Sequence, residues 1–287
     1  MSDLGSLEGR IATAGPNLTP TERRLANIVL EDPTTVAFGT VADVARQAET
    51  SGPSVVRFAA KLEFDGYGDL QDHVRTSLTE RLRRPTDRLR AGASADRMTR
   101  QTTTAVRTLQ RTFDALNHEV ISQVAQRLAA ADTVWGLCAT LSATPGQLLV
   151  ANLQLLRPNV KSLTGPAAVM AADIADAGPG DVAIVIDFPR YESMVLDGAS
   201  RLAKAGVWMA AITDGPLSPL AAIADNWLGT DVDAVGPFDS VVPAVAVVEV
   251  LLAEVAWLLR DDASDRLDRI ERLWSETSTF HSEQQTS

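Results

Sequence analysis

Pro53, Ser54, Arg57 and Lys61 fall at a spacing that turns them to one side of a helix, with Val55, Phe58, Ala59 and Leu62 on the other. Hydroxyl, guanidinium and ammonium groups above a buried apolar stripe suit a helix that lies in a DNA major groove while packed on its own domain. Ser51 is placed to cap this helix. Pro53 is tolerated in its first turn, where the amide it lacks would have no intrahelical partner. Just upstream, beyond Thr40, Val41, Val44, Ala45 and Ala48 recur at the 0, 3, 4, 7 interval of another short helix. Two short helices separated by a three-residue turn read as a helix-turn-helix, although a generic amphipathic helix shows the same stripe. The candidate DNA contacts are therefore Thr40, Ser51, Pro53, Ser54, Arg57 and Lys61.

These residues need a helical frame. Thr19-Pro20-Thr21-Glu22 reads as a capping box with proline at the first helical position, opening a helix that turns Leu25, Ile28 and Val29 inward and stops at Asp32-Pro33. A glycine-rich turn, Phe64 to Leu70, leads into a further helix ending near Arg84. Residues 1–84 are thus expected to form an all-helical DNA-binding domain with the helix-turn-helix in its middle.

The run Thr40-Val41-x-Asp43-Val44-Ala45, followed by Ser51-x-x-Ser54-Val55-x-Arg57-Phe58-x-x-Lys61-Leu62-x-Phe64-x-Gly66-Tyr67-x-Asp69-Leu70, resembles the N-terminal domain of the MurR/RpiR family of bacterial transcriptional regulators. Two positions depart from that pattern. Glu63 stands where the family usually has a glycine ending the recognition helix, and Thr50 where an aliphatic residue usually precedes the serine. A glutamate there weakens a helix C-cap and adds negative charge near phosphates.

Length and charge fit two domains of different character. The chain has 287 residues, 45% of them hydrophobic, and a formal net charge of −11. Residues 1–90 hold 12 Lys and Arg against 13 Asp and Glu, while the remainder holds 14 against 24, so the acidity belongs to the C-terminal part. Residues 71–90 carry six arginines against three acids, and a near-neutral domain can present a basic face to DNA. One cysteine, Cys138, excludes an intrachain disulfide; three histidines far apart and no C-x-x-C or H-E-x-x-H argue against a zinc site, and no cofactor is expected. No signal-peptide core stands out, and the most apolar run, Val241 to Leu259, is interrupted by Glu249 and Glu254. The expectation is a soluble cytoplasmic protein without a membrane partner.

Residues 85–97, mixing Pro85, Gly92, small residues and charge, read as a linker. Helical periodicity resumes from Met98 to Ala131, with Val106, Leu109, Phe113 and Leu116 in one stripe and Val120, Val124 and Leu128 in another. Short apolar runs then alternate with helix-like stretches. Strands are expected at Thr133–Cys138, Val160–Leu163, Asp181–Ile186, Val207–Thr213 and Asn226–Thr230, with helices at 143–156, 167–176, 192–205 and 217–224. This order predicts a doubly wound parallel sheet, whose ligands bind beyond the carboxyl ends of its strands. The apolar segment from Ser240 to Leu259 reads as a buried helix or a subunit contact, and residues 263–287 as a charged helix fading into a disordered polar tail from Ser275.

This half, expected over residues 98–262, resembles the sugar isomerase (SIS) domain, the usual C-terminal partner of that helix-turn-helix. The match is best at Ala210-Ala211-Ile212-Thr213-Asp214 and Leu217-Ser218-Pro219-Leu220-Ala221. The resemblance implies an α + α/β protein: an effector-responsive regulator, dimeric through the SIS-like domain, binding double-stranded operator DNA and a carbohydrate derivative. The family's phosphate-binding loops are altered. Gly136-Leu137-Cys138-Ala139-Thr140 replaces a Gly-x-Gly-x-Ser pattern. Asp187-Phe188-Pro189-Arg190-Tyr191-Glu192-Ser193 replaces a hydroxyl-rich loop, so an anion and a proline stand where phosphate donors are usual. The candidate effector residues are Thr140, Ser142, Asp187, Arg190, Tyr191 and Ser193, arranged for a sugar acid or another carboxylated metabolite, or kept for fold and dimerisation alone. An isomerase is the enzymatic alternative, but no histidine falls in a strand-to-helix loop beside Glu192 or Glu249. An interaction protein whose helix-turn-helix no longer binds DNA is the other alternative.

Overall fold

The computed structural model describes residues 7–31, 33–81, 85–91, 96–216 and 218–280. Six helices build the N-terminal unit: α1 (Leu7–Ala14), α2 (Pro20–Glu31), α3 (Pro33–Phe38), α4 (Val41–Gln47), α5 (Gly52–Lys61) and α6 (Tyr67–Arg81). Leu25, Val29, Val36, Val44, Val55, Phe58, Leu62 and Leu70 meet in one apolar core. The helix-turn-helix is α4 and α5. The expected capping box at Thr19 forms, its hydroxyl and amide both bonded to Glu22. Two elements were not anticipated, α1 and the six-residue α3 beyond Pro33.

The stretch expected as a linker contains helix α7 (Pro85–Ala91). Next come α8 (Arg97–Ala115), α9 (His118–Ala130), β1 (Val134–Cys138), α10 (Ala143–Leu156), β2 (Val160–Leu163), α11 (Ala167–Ala175), β3 (Val182–Ile186), α12 (Ser193–Lys204), β4 (Trp208–Thr213), β5 (Asn226–Gly229), α13 (Val242–Leu258) and α14 (Arg260–Glu276). The five strands are all parallel, in the order β2-β1-β3-β4-β5. On β3, Val182, Ile184 and Ile186 pack with α9, α10 and α13, whereas Ala183 and Val185 pack on the opposite face with α12. Burial on both faces is why these strands read as continuous apolar runs. Gly136 and Gly146 set the fit of α10 on β1. A Cβ on Gly136 would lie 2.4 Å from the Val150 side chain, and one on Gly146 would lie 2.6 Å from Cys138 Sγ.

Three expectations need correction. Residues 218–224, expected as helix, form turns; Ser218 Oγ accepts the Leu220 amide at 3.1 Å, and Pro219 has none to give. The domain limit at 262/263 falls inside α14, which runs on through Ser275 to Glu276; Phe280 then packs edge-on against Trp274, and residues 281–287 lie outside the described ones. The stripe Val106, Leu109, Phe113 and Leu116 is not the inner face of α8. Thr104, Thr108 and Thr112 are buried instead, while Val106 and Phe113 are exposed. Among the described residues no single helix is long and apolar enough to cross a membrane, and one side of α13, from Pro243 to Val255, lies in the core.

Candidate functional site

In the helix-turn-helix, Thr40 caps α4 through a full capping box with Asp43, bonding at 3.2 Å to the Asp43 amide. That exchange with Thr40, helped by Arg46, holds the Asp43 carboxyl below its ordinary pKa. Thr40 is exposed, yet its hydroxyl is committed to the cap. Ser51 stands at the head of α5 without bonding a helix amide; its hydroxyl lies 3.0 Å from that of Ser54. Pro53 and Arg57 are exposed on the outer face of α5, and Arg57 Nη2 donates to Ser54 Oγ at 3.0 Å. Lys61 departs from expectation. Its ammonium donates at 2.7 Å to both Asn17 O and a Glu22 carboxylate oxygen, tying α5 to α2 instead of projecting free of the domain. Val56, 43% exposed beside Arg57, was missed; only its β-branched position on the polar side hinted at it. Such a group can contact a thymine methyl.

Both helices of the motif end alike. The Thr50 amide reaches Ala45 O at 2.8 Å and the Phe64 amide reaches Ala59 O at 3.1 Å, each spanning a glutamate with positive φ, Glu49 at +50° and Glu63 at +63°. These are Schellman closures with glutamate at the position that favours glycine. Arginines from other helices complete them, Arg24 Nε donating to Ala48 O at 3.0 Å and Arg10 Nη1 to Leu62 O and Glu63 O at 3.0 and 2.8 Å. The departure at Glu63 thus leaves the helix end intact, at the cost of left-handed backbone on a side-chain-bearing residue.

In the α/β unit the strand order reverses between β1 and β3, and the crevice beyond their carboxyl ends is where such sheets bind ligands. A cavity of about 120 Å³ opens there. Its walls are Ala139 and Leu141 after β1, Asp187 to Arg190 and Glu192 after β3, Pro237 to Asp239 before α13, and Pro85 and Arg88 of α7. Asp187 is buried. Its carboxylate accepts the amides of Phe188 at 2.9 Å and Glu192 at 2.8 Å. Burial nevertheless pushes its pKa up to about 6, with Glu192 and Asp214 adding to the rise. Glu192 Oε1 in turn accepts the Thr140 amide at 2.9 Å. Arg190 is exposed at the mouth, with φ at +72°.

Four expected effector residues sit differently. Ser142 is fully buried, its hydroxyl donating to Ile186 O at 2.7 Å and accepting the Ala139 amide, so it shapes the turn and does not face the cavity. Tyr191 turns its hydroxyl to Asp214, and burial together with that carboxylate raises its pKa. Ser193 is exposed as the first residue of α12. Thr140, exposed in the turn after β1, does not line the cavity, and neither do Tyr191 and Ser193. Arg88 and Asp239, an ion pair joining α7 to the loop before α13, were missed; 151 positions apart in the chain, they leave no local signal. Cys138 packs against Gly146 and its thiol pKa is raised by burial, the opposite of an activated nucleophile.

Comparison with known proteins agrees with this division. Residues 5–81 match the family model described as the helix-turn-helix domain of the rpiR family, and residues 141–254 match that of the SIS domain. The sugar isomerase domain of an RpiR transcription factor from Sphaerobacter thermophilus is 28% identical, with a TM-score of 0.59 over 61% of this chain and 97% of that one. The NanR protein of Vibrio vulnificus, solved with ManNAc-6P, is 19% identical and shares the fold over 95% of this chain and 99% of its own, with a TM-score of 0.55. The bifunctional protein glk of Burkholderia thailandensis is 27% identical over 229 residues, 77% of this chain. The chain spans about a third of the length of such curated relatives, 34% in that case.

Proposed function

We propose, from the match of residues 5–81 to the rpiR-family helix-turn-helix model and of residues 141–254 to the SIS model, that the chain is an rpiR-family regulator, a sequence-specific DNA-binding protein that controls metabolic genes. It acts as a homodimer on a two-fold operator, without catalysis of its own, and a small metabolite in the crevice between β1 and β3 modulates it. The observation that carries this reading is the outer face of α5. There Pro53, Val56 and Arg57 stand exposed over a core of Val55, Phe58 and Leu62, and Arg57 makes no ion pair among the described residues. A guanidinium so placed matches the paired acceptors of a guanine edge. Thr40, Ser51 and Ser54 frame it, and Lys61 ties the end of the helix to α2.

The test is a gel shift with DNA from upstream of the chain's own gene and a random duplex of equal length. Arg57→Ala should cost about 1–3 kcal/mol on the cognate DNA, roughly five- to 150-fold in Kd, with little change on the random duplex. Equal losses on both would make Arg57 a phosphate contact, and no loss on either would remove α5 from the groove. Turnover of an aldose phosphate by the same preparation would favour an isomerase instead.

A further inference from the structure

The amides beyond β1 and β3 are where an anionic ligand would ordinarily dock, and the protein's own carboxylates already hold them. Glu192 takes the Thr140 amide, and Asp187 takes those of Phe188 and Glu192. A phosphate entering the crevice finds these donors occupied. It also meets three lining carboxylates, Asp187, Glu192 and Asp239, against two guanidiniums, Arg88 and Arg190. A dianion adds to that negative excess twice over, whereas a monoanion adds to it once.

The two arginines differ. Arg190 has no hydrogen bond or ion pair among the described residues, and it is held in left-handed backbone, at φ +72°, that favours glycine. Arg88 enters from α7 and pairs with Asp239, both side chains more than three-quarters buried. The cavity between them, about 120 Å³, is smaller than the roughly 300–1,000 Å³ of most small-molecule sites. A sugar-sized ligand therefore has to move a wall. α7 is the wall contributed by a short helix, and it leads directly from the helix-turn-helix unit.

The geometry points to a ligand bearing a single carboxylate, bound between Arg190 and Arg88, that displaces Asp239 as the partner of Arg88. This rests on reading the crevice as the effector site. The planar fork of arginine suits a carboxylate bidentately, and exchange of one carboxylate for another keeps Arg88 paired in a half-buried place. Because α7 carries Arg88, the exchange couples occupancy of the crevice to the segment that joins it to the DNA-reading helices.

Isothermal titration of the full chain with D-gluconate, D-glucuronate, D-glucose and D-glucose 6-phosphate tests this. At least one of the two sugar acids should bind, with the free sugar and the phosphate ester at least tenfold weaker. Arg190→Gln should weaken the sugar acid at least tenfold. Asp239→Asn should tighten it, about three- to tenfold, by removing the internal competitor for Arg88. If Asp239→Asn weakens binding as Arg190→Gln does, Asp239 builds the site and the exchange is refuted. Should thermal melts show Asp239→Asn unfolded, Arg88→Lys decides: it keeps the charge beside Asp239 but not the planar fork, and in a chain whose melt shows it folded it must weaken the sugar acid at least tenfold, an unchanged affinity refuting the role of Arg88. Tighter binding of the phosphate ester would refute the ligand class and leave the crevice as effector site. No heat with any of the four, alongside intact operator binding in the gel shift, would refute the ligand site and leave the DNA-binding regulator standing.

Discussion

Asp187 shows how a single residue can be both cap and burden. Its carboxylate takes two amides that would otherwise go unpaired at the head of α12, yet it is 4% exposed. The charged groups that face it, Glu192 and Asp214, are of like sign and add to the rise that burial causes. In the folded chain its pKa is about 6, above the ordinary 3.8. Between those values the folded state therefore holds more proton than the unfolded one. Stability contributed by this group is full below about pH 4 and falls as pH rises to about 6, by about 3 kcal/mol for a shift of that size. Asp187→Asn removes this dependence. Unfolding midpoints of the two proteins measured from pH 4.5 to 7.5 should show the native chain losing ground to the variant as pH rises. Parallel profiles would mean that the two amide bonds outweigh burial.

At the scale of elements, the ends of α4 and α5 invite a direct test. Each closes through a glutamate in the left-handed region, where a side chain costs energy that glycine does not incur. Glu63→Gly should stabilise the protein by about 1 kcal/mol, seen as a rise of a few degrees in the melting temperature, because the Phe64 and Glu63 amide bonds to Ala59 and Ala60 need no side chain at that position. A fall in melting temperature would show that the Glu63 side chain contributes more than its backbone strain removes. The strands and the longer helices were legible because burial writes itself into the sequence as unbroken apolar runs or a 3.6-residue stripe. Val160–Leu163 and Ala143–Leu156 match the expected limits residue for residue. What escaped were short helices such as α3 and α7, whose one or two turns leave no period to count, and the threonine face of α8. There small hydroxyl side chains take the buried side, Thr112 Oγ1 accepting the Asp231 amide at 2.9 Å. The crevice was legible as a place, beyond β1 and β3, but not as a constellation, since Arg88 and Asp239 meet only through the tertiary fold.

For the whole molecule, that inversion of α8 bears on where the proposed homodimer would pair. A homodimer needs an apolar surface, and α13, the apolar helix expected to supply it, spends one side on its own core, with Ala244, Val247, Val248, Leu251 and Val255 buried, and keeps Val242, Trp257 and Leu258 exposed at its ends. α8 keeps one instead. Val106 is 60% exposed and Phe113 43%, and with the half-buried Leu109 between them they follow the three- and four-residue steps of a helix that pairs with a copy of itself, while Leu116 just past α8 packs against the core. Contiguous apolar exposure of this kind marks an interaction face. A second copy is the fitting occupant, because a two-fold operator presents its half-sites about 34 Å apart and demands two reading helices in fixed relation. The full chain should therefore sediment as a dimer at micromolar concentration. Val106→Glu with Phe113→Glu should yield a folded monomer, since neither side chain is buried in the protomer, and operator affinity should drop at least tenfold with the loss of the second reading helix. A double variant that stays dimeric would move the interface elsewhere, with the exposed Trp257 and Leu258 at the bend between α13 and α14 the next surface to test.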